Sequence, residues 1–188
     1  MWETYRKRKL VGFLEAKNRG EIDRDIIKLL ELINSFENYV TLSSCSGRIA
    51  VMDIPEVGDK LNAEFLGKWH REVDAEMVER CAVKCKNWAW LIQYPPIIHV
   101  ACSSFEDAER IMNVANETGF RRSGLISLKN LVVEIASLER VELPIAFSGK
   151  LLISRDYLNS VVKFANFKLR KGKEKLERLY ALIKAFSE

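Results

Sequence analysis

At 188 residues, 48% of them apolar and 30% charged, the chain has the make-up of one globular domain and not of a disordered or fibrous protein. A net charge of +4 permits nucleic-acid binding without demanding it. No apolar run reaches the roughly 18 residues of a membrane span, and the charged start Met1–Lys9 lacks the apolar stretch of a signal peptide.

The expectation is therefore a cytoplasmic protein with no membrane contact, its four cysteines reduced. With two histidines and no CxxC pair, no metal site is expected. Cys81, Cys85 and Cys102 read as small buried hydrophobes. Oligomeric state is left open.

In chain order, a basic helix is expected over about residues 3–19, carrying Arg6, Lys7, Arg8 and Lys9 on its early turns and ending at Gly20. Asp23 is a candidate cap for a second helix over residues 24–35, where Ile26, Leu29, Leu30 and Ile33 repeat at helical period. Tyr39–Leu42 and Ile49–Met52 read as strands joined by a tight hairpin turn. Residues 53–64, with Pro55 and Gly58, read as a mobile loop; whether it closes over a ligand is left open. Residues 65–70 follow, then a helix over 74–86. Trp88–Tyr94 alternates as a strand; Pro95-Pro96 breaks it, and residues 97–103 form the next. Ser103 or Ser104 caps a helix over residues 105–118.

Residues 120–127 and 130–135 pattern as a hairpin. Residues 141–147 form a further strand whose Pro144 predicts an edge position or a bulge. Leu151–Ile153 closes the sheet, and Ser154 caps a long basic helix over about residues 155–186. Strands follow one another directly after Phe120, which disfavours a doubly wound sheet. The predicted class is α+β, one domain over residues 1–188: a central, mostly antiparallel sheet with packed helices and a long C-terminal helix, and no Gly-rich Rossmann turn.

The densest chemistry lies in Ser43-Ser44-Cys45-Ser46-Gly47-Arg48. Three hydroxyls, a thiol, successive backbone N–H groups and one guanidinium can form a nest for an anion. The plainer reading is a Ser-rich turn with a surface arginine. Trp69 reads either as a stacking ring for a base or adenine or as a strand aromatic covering the core. Lys168, Arg170, Lys171, Lys173 and Lys175 give the last helix a basic face that suits nucleic-acid phosphates, or one that is merely solvated.

The stretch Ser43–Arg48 resembles the signature of the tRNA wybutosine-synthesising protein 3 family. Three further blocks fit it in order. They are His99-Val100-Ala101-Cys102 with Ala108, Ala115 and Gly119–Gly124, then Val141-Glu142-Leu143-Pro144, then the helix opening at Tyr157-Leu158. The likeness runs from about Arg24 to Tyr180. Phe65–Trp69 is also similar to a family segment, although many members read Lys-Gly-Gly before the tryptophan where this chain has Gly67-Lys68.

The resemblance implies a methyltransferase dependent on S-adenosylmethionine and acting on phenylalanine tRNA. The implied reaction is N4-methylation of the tricyclic 7-aminocarboxypropyl-demethylwyosine base at position 37, in the anticodon loop. On that basis Ser43, Ser44, Cys45, Ser46, Gly47, Arg48, Lys68, Trp69, Cys102, Arg121, Ser123 and Gly124 are candidates for holding cofactor or base. The two clusters around Arg48 and Arg121 are interchangeable in these roles. His99 is the candidate base, with His70 as the alternative, because imidazole is the side chain that titrates near neutral pH. Each can equally be a satisfied structural histidine. Methyl transfer to nitrogen needs no nucleophile, so Cys45 reads as shape or a weak contact. The rival function is a non-catalytic RNA-binding module using the basic terminal helices.

Overall fold

The computed structural model describes residues 1–56, 58 and 61–185. The chain is α+β, antiparallel throughout its sheets and closed by a long helix, as the sequence predicts. The strands are shared between two sheets rather than gathered in one, and the segments form two compact units: Met1–Ser46 with Pro96–Leu138 and Gly172–Glu188, and Gly47–Pro95 with Glu139–Lys171. Among the described residues, no helix is long and apolar enough to cross a membrane.

The first unit holds a four-stranded sheet. Its strands are β1 (Tyr39–Cys45), β5 (Ile97–Cys102), β6 (Gly124–Ser127) and β7 (Val132–Ala136), in the order β1-β5-β7-β6. One face carries Ile98, Val100, Val133 and Ile135. Against it pack α2 (Ile27–Ser35), α4 (Phe105–Glu117) and the last turns of α5 (Arg155–Ala185) through Leu30, Ile33, Ile111, Leu179 and Ile183. On the other face α1 (Trp2–Asn18) covers Val40, Ala101 and Val132 with Trp2, Tyr5 and Leu10. Helix α1 buries no whole residue; its grip comes from Arg6, whose guanidinium donates to the carbonyls of Asn34 (2.7 Å), Phe36 (3.0 Å) and Tyr39 (3.1 Å).

The second unit holds five strands in the order β3-β2-β4-β8-β9: β2 (Arg48–Ile54), β3 (Glu64–Trp69), β4 (Trp88–Tyr94), β8 (Val141–Phe147) and β9 (Lys150–Leu151). Ile49, Val51, Ala89, Leu91 and Ile145 face α3 (Ala75–Ala82) and the first half of α5, which supply Val78, Ala82, Leu158, Val162, Ala165 and Leu169. Pro144 sits at a bulge: the register moves from Ala89↔Ala146 to Trp90↔Pro144, so Ile145 is the extra residue and the proline is accommodated.

Several expectations are corrected. β1 and β2 are not a hairpin: β1 pairs with β5, and β2 pairs with β3 and β4. The chain crosses from one sheet to the other at Ser46-Gly47, with Gly47 at φ 88°, where a side chain would be strained. The backbone N–H of Ser46 donates to Asp23 Oδ2 at 2.8 Å, which ties the strand end away from a turn. That same carboxylate does not cap its own helix, which opens as a 3-10 turn over Arg24–Ile26. Asp53 and Ile54 belong to β2, not to a loop; the buried Asp53 carboxylate accepts the N–H groups of Lys86 (2.7 Å) and Asn87 (3.1 Å). Val57, Asp59 and Lys60 of the expected loop, and Phe186 of the last helix, lie outside the described residues. Helix α3 stops at Ala82, short of Lys86.

Helix α5 is 31 residues long, roughly 45 Å at 1.5 Å per residue. Gly172 in its middle is there for contact: a Cβ at that position would come within 2.6 Å of Pro96 Cδ.

Candidate active site

In the first unit four strands place Ser43, His99, Glu134 and Gly124 in one row. Ser43 is opposite His99, His99 opposite Glu134, and Glu134 opposite Gly124. Ile98 and Val100 point into the core, so His99 between them points to the face on which α1 packs. A bulge sets the first pairing. The register runs Thr41↔Val100, then Ser43↔His99, which makes Leu42 the extra residue and turns Ser43 onto the histidine.

The row is hydrogen-bonded. His99 Nε2 is 2.8 Å from Glu134 Oε2, and His99 Nδ1 is 2.7 Å from Ser43 Oγ. An ionised carboxylate only accepts, so Nε2 carries the proton in the neutral ring. Nδ1 is then a lone pair that accepts from the Ser43 hydroxyl. This is the arrangement of an oriented base with a hydroxyl relay. Ser43 and Ser44 also line an open cavity of about 540 Å³, with Arg8 and Lys9 of α1 among its walls.

Other predicted residues in this unit are placed differently. Ser46 is fully buried, and its hydroxyl meets no partner. Cys102 lies in the core, where burial pushes its thiol up to about 12. Ser123 Oγ donates to Phe120 O at 2.7 Å and accepts from Ala136 N at 3.3 Å, a loop-closing role. Arg121 is exposed, and Gly124 borders open space beside Glu134. The cluster expected around Arg121 therefore offers that arginine and the room at Gly124. Cys45 is half-buried.

In the second unit Arg48 lies between two rings, its guanidinium carbon 5.0 Å from the Tyr94 centroid and 5.3 Å from that of Phe65. Its Nε is buried without a hydrogen-bond partner. Gln93, one residue from Tyr94, is fully buried, and neither its amide oxygen nor its nitrogen has a partner. Orphaned polar atoms of this kind are costly unless a ligand meets them. Sequence reasoning missed Gln93 and Glu134: a lone polar residue in a strand carries no local signal of what it faces.

His70 Nδ1 is 3.0 Å from Gly47 O, so that nitrogen donates to backbone. Trp69 packs on the core, its ring so close to Gly67 that a Cβ there would meet it at 2.3 Å. Lys68 points to the opposite face, 5.6 Å from the Phe65 centroid. On α5, Lys168 and Lys171 ride on the exposed rings of Phe164 (5.0 Å) and Phe167 (5.7 Å). Arg170 reaches both carboxylate oxygens of Glu72 at 2.9 Å, and Lys173 pairs with Asp25. Lys175 is buried, its stem against Gly119.

An antiparallel α+β chain with a hydrogen-bonded Ser43–His99–Glu134 row stands outside the doubly wound folds. The comparisons give its family. Residues 4–185 match the family described as Methyltransferase TYW3, and the chain belongs to it. A protein of Archaeoglobus fulgidus named tRNA(Phe) 7-((3-amino-3-carboxypropyl)-4-demethylwyosine(37)-N(4))-methyltransferase is 58% identical over 98% of this chain and 94% of its own. A Pyrococcus horikoshii protein with that name, numbered 1, is 44% identical over 99% and 96%. The solved PH1069 protein from Pyrococcus horikoshii superposes with a TM-score of 0.93 at 44% identity, covering 96% of this chain and 95% of its own. A hypothetical protein from Aeropyrum pernix gives 0.75 at 26% identity, over 87% and 98%.

Proposed function

We propose that this chain methylates N4 of the 7-(3-amino-3-carboxypropyl)-4-demethylwyosine base at position 37 of phenylalanine tRNA, in the anticodon loop, with S-adenosylmethionine as donor. The observation that carries the reading is the relative of that name at 58% identity along nearly the whole chain. The donor supplies an already activated methyl group, so positioning, which can contribute about 7–11 kcal/mol, is the main demand on the protein.

The orphaned Arg48 guanidinium fits such a ligand. Its methionine end bears a carboxylate and an ammonium, and Arg48 offers donors to the carboxylate. His99 Nδ1 takes the proton released by the acceptor nitrogen, through the Ser43 hydroxyl, while Glu134 holds the ring and stabilises its charged form. Ser43 and Arg48 are the two ends of one six-residue stretch, so a short segment bears both the relay and the anion-binding group.

The test is calorimetric titration with S-adenosylmethionine, together with methyl transfer to phenylalanine tRNA bearing the unmethylated base. Cofactor binding weakened about tenfold or more in Arg48→Ala, with transfer lost in His99→Gln, is the expected result. Absence of cofactor binding with RNA binding intact would leave a non-catalytic RNA-binding module.

A further inference from the structure

The five-stranded sheet has a second face that neither helix of its unit covers. Strand alternation sends Arg48, Ala50, Met52 and Ile54 of β2 and Trp88, Trp90, Ile92 and Tyr94 of β4 to that side, away from Ile49, Val51, Ala89 and Leu91 of the core; Ala50 and Ile92 in its middle are buried, and the open part is the rings around them. A bulge adds to it. The register moves from Val51↔Gly67 to Met52↔Phe65, so Leu66 is the extra residue and packs inward, while Phe65 turns out. Phe65, Trp88 and Phe147 are 45%, 39% and 43% exposed, a high cost for rings with nothing to meet.

The face is flat and cationic. Tyr94 Oη reaches Met52 Sδ at 3.3 Å, although Met52 is opposite Trp90, four residues back; the tyrosine therefore lies along the sheet rather than standing off it. Its ring has Arg48 at 5.0 Å and Arg140 at 4.9 Å, and Phe65 has Arg48 at 5.3 Å and Lys68 at 5.6 Å. Glu142, on the same face, is bound to Arg140 at 2.8 Å. Trp88 and Phe147 meet at a tilt of 47° at the far end, centroids 4.6 Å apart. From Arg48 to Ile54 the strand is roughly 20 Å long, room for a short run of unpaired nucleotides.

We infer that this face is a stacking platform for single-stranded RNA, with bases on Phe65 and Trp88 and phosphates toward Lys68 and Arg140. Rings bind the faces of bases while neighbouring cations neutralise the backbone, and every base offers such a face. A protein partner would want apolar area without the cations that lie over Phe65 and Tyr94. The inference deepens the tRNA reading by naming the surface that meets unpaired anticodon-loop nucleotides, and it rests on that reading only for which RNA is bound.

The experiment measures fluorescence anisotropy of a labelled phenylalanine-tRNA anticodon stem-loop and of a labelled oligouridine across a salt series. Phe65→Ala and Trp88→Ala are each expected to weaken binding about tenfold, with the slope against salt unchanged. Trp88→Phe is expected to restore affinity to within about twofold, as a ring is kept. A 4-thiouridine cross-linking map on the unaltered protein guards against misfolded variants. Adducts on Phe65 or Trp88 support the platform, whereas adducts confined to other segments overturn it. Unchanged RNA affinity in the Phe65→Ala/Trp88→Ala protein overturns it too, as does weakened S-adenosylmethionine binding with RNA affinity intact. Methyl transfer by the unaltered protein is scored separately. Its absence removes the proposed reaction and leaves the RNA affinities to judge the platform.

Discussion

Ser43 stands opposite His99 because Leu42 is an extra residue in β1. Without that bulge Leu42 would pair with the histidine, and the hydroxyl would point to the other face. His99 Nδ1 is bonded to Ser43 and Nε2 to Glu134, so neither ring nitrogen is left to chance.

Removing the base should cost more than removing its orienting partner. His99→Gln is expected to lower single-turnover methyl transfer by about 10²–10⁴-fold. Glu134→Gln should cost less, because the ring remains but can adopt the other tautomer. Cofactor affinity should hold in both. Transfer at the parental rate in His99→Gln would remove the histidine from the chemistry.

Gly172 and Pro96 make a second prediction. In an open helix Gly→Ala is stabilising by about 1 kcal/mol. Here the added methyl meets Pro96 Cδ at 2.6 Å, so Gly172→Ala should instead destabilise by roughly 1–3 kcal/mol. Pro96→Ala removes the ring atoms, and in that background the alanine should be neutral or stabilising. Thermal melts of the four proteins of this cycle decide it; a Gly172→Ala melt above the parent refutes the contact.

Asp107 gives a pH dependence. Burial opposes its ionisation, but hydrogen bonds from Ser103 (2.6 Å), Ser104 (2.7 Å) and Asn38 (2.8 Å) outweigh that and hold its carboxyl below the usual range. A group whose pKa is lower folded than unfolded stabilises above its unfolded value and loses that contribution as pH falls through the folded one. The start of α4 should therefore weaken only under acid conditions. In Asp107→Asn the acid-dependent part of the denaturation midpoint should shrink; an unaltered profile would contradict this.

Element types were legible because their causes are local. The 3.6-residue stripe of Ile26, Leu29, Leu30 and Ile33, the Ser104 cap and the Pro144 bulge each follow from a few neighbouring residues. Partner choice was not. Tyr39–Leu42 and Ile49–Met52 look like a hairpin with a Gly turn, yet the strands lie in different sheets, since pairing is decided by what the rest of the chain offers each edge. Gly172 likewise reads as a weak point, and only Pro96, 76 positions away, explains it.

By itself the sequence determined the α+β class, the long closing helix, and a family membership that rests on ordered blocks and spacing, quantities that a linear chain carries intact. The tertiary structure decided which of the named residues stand together. It joined His99 to Ser43 and to a glutamate no motif had singled out, set Arg48 between Phe65 and Tyr94, and sank Cys102 into the core. The reason is physical: these juxtapositions are made by strand register, and a single bulged residue moves a side chain from one face of a sheet to the other.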